Sequence, residues 1–175
     1  MWGALWKLIE EYFAQQEEVY TPMTKGTPKI EASDAWVDRL IVGLVYAESR
    51  GDVNCIGDKA IPESKGGPAY GILQIRGGVR TEMNVLWGKQ YTGKDLLGKK
   101  GAELSKKMCK EYFLRIAPLY KSYKASIASG ISKEETCAKI WNGGPGAYLQ
   151  SKKKGYEKYA KGIEMYWNTV RTHQG

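Results

Sequence analysis

Glu48 is a carboxylate on what reads as the apolar stripe of a helix. Val37, Leu40, Ile41, Leu44 and Val45 make that stripe. Glu48 continues it, eleven residues after Val37, seven after Ile41 and four after Leu44. Burial disfavours the charged form of such a group and raises its pKa toward the range where a general acid works near neutrality. The pattern alone leaves a second use open, because a Glu at a helix end can also turn to solvent or pair with a cation such as Arg50. Asp52, Asp58 and Glu63 follow on a stretch rich in Gly, Asp, Asn and Pro. Beyond them, Ala69-Tyr70-Gly71-Ile72-Leu73-Gln74-Ile75 offers a glycine for close backbone approach and an amide suited to a polar polymer. Far along the chain, Trp141-Asn142-Gly143-Gly144 supplies an aromatic and an amide that could wall the same groove. Glycoside cleavage needs an acid for the leaving oxygen and either a second carboxylate or a substrate group for the cationic centre.

Other chemistries fit less well. The single His, His173, stands near the C-terminus, so neither a zinc site built on clustered His and Cys nor a Ser or Cys nucleophile with a His base is expected. Cys55, Cys109 and Cys137 are odd in number and lack C-x-x-C spacing, and read as buried or incidental thiols. No cofactor and no metal is expected. The net charge of +8 favours an anionic partner: nucleic acid, anionic lipid or wall polymer. Six Trp and twelve Tyr against two Phe favour surfaces where a ring has one wet edge, as in a sugar- or base-stacking cleft. The run Lys152-Lys153-Lys154 reads as a solvated loop.

The elements that must hold these residues can be read in order. Trp2, Leu5, Trp6, Ile9 and Phe13 give an amphipathic helix near the start, with Glu10, Glu11, Glu17 and Glu18 on its other side. It reads as a helix packed across the core, followed by a connecting loop to Ser33. Ser33 or Asp34 caps the helix that ends near Glu48. A loop with a small hairpin follows over 51–67, then an extended segment over 69–75. Thr81 to Trp87 is a short helix closed by Gly88. The pattern from Glu103 to Ser129 is helical, kinked or split by Pro118. Ser132 opens a helix with capping-box spacing to Glu135, ending near Trp141. Asn142 to Gly146 is a dense turn, and 155–171 a closing helix. No run of eighteen apolar residues exists and the N-terminus lacks signal-peptide character, so synthesis in a cytoplasm without ordinary secretion is the expectation.

Glu48-Ser49-x-Gly51, Ala69 to Ile75 and Ile140-Trp141-Asn142-Gly143-Gly144-Pro145 together resemble the three ordered motifs of the lysozyme superfamily, closest to lytic transglycosylases and goose-type and phage lysozymes. The resemblance covers about Trp36 to Trp167. It implies one mainly α (α+β) lysozyme-like domain over 1–175, with 1–33 an N-terminal helix plus loop and a small β-hairpin beside the catalytic helix. It implies Glu48 as general acid, with Asp58 or Glu63 as a second carboxylate. Gly71, Leu73 and Gln74 match cleft-lining positions, as do Trp141, Asn142 and Gly143. Ser49, Tyr70 and Tyr148 complete the substrate-binding candidates. Trp141 stands where the family usually has Tyr, and Arg76 where goose-type hydrolases tend to have Asp. The implied activity is cleavage of the β-1,4 bond between N-acetylmuramic acid and N-acetylglucosamine by a monomeric, phage-type lysis or entry enzyme acting on the cell wall. Its partner is the peptidoglycan glycan strand, without specific nucleic acid. Whether it is a hydrolase or a transglycosylase stays open. The alternatives are a chitinase- or chitosanase-type glycosidase and a non-enzymatic basic protein that binds nucleic acid or builds a virion.

Overall fold

The computed structural model describes residues 34–175. The N-terminal amphipathic stretch and the loop to Ser33 lie outside the described residues. Those described are mainly helical, with one two-stranded antiparallel sheet, and they form two compact units. One joins residues 34–114 to Asn168–Gly175, and the other is Arg115–Trp167.

In the first unit, helix α1 (Ala35–Ser49) buries Val37, Leu40, Ile41 and Leu44, as its stripe requires. Asp34 occupies the cap position, but its side chain makes no capping hydrogen bond to the first turn. Arg50 ends the helix in the left-handed conformation, its N–H donating to the Tyr46 carbonyl at 3.1 Å. Strands β1 (Ile56–Gly57) and β2 (Ala69–Tyr70) pair antiparallel, Ile56 opposite Tyr70 and Gly57 opposite Ala69. Helix α2 (Gly77–Trp87) is closed by Gly88 and starts earlier than its apolar pattern, at a glycine pair. Helix α3 (Gly98–Glu111) buries Ala102, Ser105, Met108 and Cys109. Lys110 Nζ on α3 donates to both carboxylate oxygens of Asp38 on α1, at 2.8 and 2.9 Å. The C-terminal residues close the unit: Val170 is fully buried and His173 stacks on Tyr46 with ring centroids 3.5 Å apart.

One expectation needs correcting here. The segment 69–75 is not extended throughout: only Ala69 and Tyr70 are strand, and Gly71 to Gln74 fold into a tight turn. Tyr70 and Ile75 exchange both backbone hydrogen bonds across it, at 3.1 and 3.0 Å. Gly71 makes the reversal possible. Its φ is +75°, and a Cβ there would lie 2.3 Å from the Leu96 carbonyl oxygen. The close approach the sequence suggested is thus made by the chain's own backbone.

The second unit follows a π-helical turn (Tyr112–Ile116) and a 3-10 turn (Ala117–Leu119) that interrupt the helical pattern at Pro118. Helix α4 (Lys121–Ala128) meets α5 (Lys133–Gly143) through the buried pair Ser126 Oγ and Thr136 Oγ1, 2.7 Å apart. Ser132 Oγ accepts from the Glu135 N–H at 3.2 Å, the capping bond its spacing predicts. Asn142 and Gly143 belong to the last turn of α5, not to the turn that follows. The pattern is too short to reveal helix α6 (Ala147–Ser151); the N–H of Leu149 donates to Ser122 Oγ at 3.1 Å. Helix α7 (Glu157–Thr172) closes the chain, and Lys139 bridges Glu135 and Glu164 at 2.6 and 2.5 Å. Lys152, Lys153 and Lys154 are exposed.

Candidate active site

The last turn of α1 carries Glu48, half-buried, and Ser49. Ser49 is the hinge of the arrangement. Its hydroxyl donates to the Ile72 carbonyl at 2.8 Å and accepts from the Gly51 N–H at 3.2 Å. The helix end that bears Glu48 is therefore tied to the Gly71–Gln74 turn. Gln74 secures the same turn from the other side. Its Nε2 donates to the carbonyls of Cys55 (3.2 Å) and Gly71 (2.9 Å), and the Gly71 N–H also reaches Cys55 at 2.8 Å. Ser49 and Gln74, read as substrate contacts, have these polar atoms engaged in holding the scaffold. Leu73 is fully buried and belongs to the core. Tyr70 is half-buried, and its ring rests on Gly93, where a Cβ would fall 2.2 Å from a ring carbon.

Asp58 and Glu63 each face an arginine. The Asp58 carboxylate forms an ion pair with Arg76, both side chains about half exposed. Asp58 itself has φ +52°. Glu63 opens a 3-10 turn (Glu63–Lys65) and lies 3.8 Å from Arg80 Nη2. The Gly77 N–H donates to the Gly66 carbonyl at 3.0 Å, which lays that turn on the start of α2 and brings Glu63 to Arg80. The guanidinium of Arg80 also sits 5.9 Å from the centroid of the Tyr70 ring. The two arginines are what sequence reasoning missed. Arg76 is visible there only as a departure from an acidic position, and Arg80 has no motif to mark it.

The remaining candidates lie in the second unit. Trp141 is half-buried and Asn142 exposed, both on α5. Gly143 is set by packing: its carbonyl accepts from the Tyr159 hydroxyl at 2.6 Å, and a Cβ there would meet that oxygen at 2.5 Å. Tyr148 on α6 is half-buried, with Lys152 Nζ 5.2 Å from its ring centroid.

Among the described residues no three His, Cys, Asp or Glu side chains are grouped to hold a metal ion. The three cysteines form no disulfide; Cys109 and Cys137 are buried and Cys55 half-buried. Among the described residues no helix is long and apolar enough to cross a membrane. The chain matches no family model, no curated protein and no solved structure.

Proposed function

We propose that the chain is a peptidoglycan-degrading glycosidase of lysozyme-like design, cleaving the β-1,4 bond between N-acetylmuramic acid and N-acetylglucosamine with Glu48 as general acid. One observation carries this reading. The Ser49–Ile72 hydrogen bond joins two of the three motifs that sequence analysis singled out, Glu48-Ser49 and Gly71–Gln74. A half-buried carboxyl braced at a helix end beside a rigid turn suits proton donation to a leaving sugar oxygen.

The hydrogen-bonded ion pair of Asp58 with Arg76 supports the route that needs no second carboxylate, while Glu63 stands beside Arg80 without a hydrogen bond to it. An arginine neutralises a carboxylate and occupies its lone pairs, which weakens it as nucleophile or base. In that route Glu48 gives its proton to the bridging oxygen as the bond to the muramoyl C1 breaks, with the substrate's N-acetyl oxygen covering C1. The C6 hydroxyl of the same sugar then bonds to C1, and its proton goes to the Glu48 carboxylate. No water is consumed and the product is a 1,6-anhydro sugar.

Digestion of purified sacculi, read by mass spectrometry, tests both statements. Wild type should release anhydromuropeptides, and Glu48→Gln should lose about 100-fold or more of that activity, the usual contribution of a general acid. Undiminished cleavage by Glu48→Gln removes Glu48 from the role. Reducing ends in place of anhydro ends mean a water-using hydrolase. Turnover of chitin oligomers but not of sacculi favours the chitinase-type alternative.

A further inference from the structure

Arg80, beside the candidate site, carries a charge that is incompletely answered. Its side chain is 14 % exposed, and Nη1 is buried without a hydrogen-bond partner. The ion pair from Nη2 to Glu63 is 3.8 Å long, beyond hydrogen-bond reach. Glu63 is a loose cover: its side chain is 68 % exposed, and its carboxyl lies over Gly67, where a Cβ would come within 2.6 Å of Oε2. Arg76, one helical turn earlier, differs in being already engaged by Asp58. A guanidinium presents five donors in a planar fork matched to a carboxylate, and a buried donor without a partner is costly to maintain. The Tyr70 ring beside it is a surface on which a sugar can rest while a substituent reaches the guanidinium.

We propose that Arg80 is a specificity-determining residue that receives a carboxylate borne by the substituents of the glycan strand, which displaces the Glu63 side chain. The inference rests on the glycan-cleaving reading above and deepens it. A neutral N-acetylglucosamine polymer has no such group, so the site would separate muramic acid-containing strands from chitin-like ones. The carboxylate can belong to the lactyl ether or to an attached peptide.

The probe is a pair of peptide-free muramoyl strands that differ in one group, lactyl carboxylates left free or converted to methylamides, run beside a second pair that keeps its peptides with the peptide carboxylates free or amidated. Binding is measured by calorimetry on Glu48→Gln chains and turnover on chains with Glu48 intact. The free acid should bind at least tenfold tighter than the amide. Adding Arg80→Gln should weaken the acid alone and erase the difference. Adding Glu63→Gln, which keeps the guanidinium in place, should tighten the acid alone. Acid preference confined to strands that keep their peptides assigns the carboxylate to the peptide and still supports the site. Equal binding of all acid and amide strands, with Arg80 and Glu63 intact and with Glu63→Gln alike, overturns the proposal. So does an Arg80→Gln chain that weakens both strands equally. Preferential binding of the acid without cleavage of either strand would leave the carboxylate site standing and reject the glycosidase. Equal cleavage and binding of both would do the reverse.

Discussion

Cys137 and Tyr123 make the second unit sensitive to alkaline pH. Burial pushes the Cys137 thiol well above its ordinary pKa, and the charge of Glu134 adds to this. Tyr123 is likewise pushed up, first by burial and then by Cys137 and Glu134. The folded chain therefore holds both protons more tightly than the unfolded chain, where a thiol titrates near about 8.5 and a phenol near about 10. This stability is complete below about pH 8.5 and is lost as pH rises, at about 1.4 kcal/mol per pH unit for each proton involved. Melting temperatures between pH 7 and 10.5 should stay flat and then fall from about pH 8.5. Cys137→Ala should melt lower at neutral pH, from its small cavity, but begin its decline only near pH 10. Parallel curves for the two proteins would remove the thiol as the cause. At this scale the sequence leaves Cys137 as a buried or incidental thiol, since nothing in its spacing separates it from the half-buried Cys55. The task of the Ser49 hydroxyl is not legible there either. Its partner, Ile72, is set by how the hairpin returns to the helix, which no local spacing encodes.

Elements were legible where one face repeats and illegible where a backbone has to reverse. The stripe from Val37 to Leu44 fixes α1, and Pro118 fixes the break between α3 and α4. The turn at Gly71–Gln74 looks extended because Ile72, Leu73 and Ile75 are good strand formers; the positive φ of Gly71 and Gln74 overrides that preference. The third motif shows the same limit, since Asn142 and Gly143 read as turn residues yet extend α5 by its last turn. Gly43 offers a test of how closely α1 is packed. In a solvent-facing helix, Gly→Ala stabilises by roughly 0.5–1 kcal/mol. Here a Cβ would lie 2.3 Å from the Val170 carbonyl oxygen and 3.0 Å from its Cγ1. Backbone cannot yield as a side chain can, so the overpacking cost of about 1–3 kcal/mol should win. Gly43→Ala should lower the denaturant midpoint, and a rise would mean that the C-terminal residues do not press on α1.

Charge is the property that belongs to the whole molecule. A net +8 confers attraction for an anionic wall polymer, but equally for nucleic acid, so its sign alone does not choose between the glycosidase and the non-enzymatic alternative. The location of the salt effect does choose. Several lysines are internally answered: Lys110 by Asp38, Lys106 by Glu103, and Lys139 by Glu135 and Glu164. The run Lys152-Lys153-Lys154 is exposed and can act at a distance, although Lys152 also lies over the Tyr148 ring. Screening shortens from about 10 Å at 0.1 M salt to about 3 Å at 1 M, so capture of a large anionic surface should weaken steeply as salt rises, while the chemistry at a bound bond should not. Raising sodium chloride from about 50 to about 300 mM should therefore cut retention on sacculi by tenfold or more, as for other multi-lysine contacts with polyanions. Turnover of a short soluble muramoyl oligosaccharide at saturation should be unchanged. Replacing all three lysines with glutamine should flatten the first curve and leave the second alone. If both measurements fall together with salt, the charge acts within the reaction and not in capture. If DNA displaces the protein from sacculi at equal charge concentration and no oligosaccharide is cut, the basic surface serves a nucleic-acid partner and Glu48 is a structural acid.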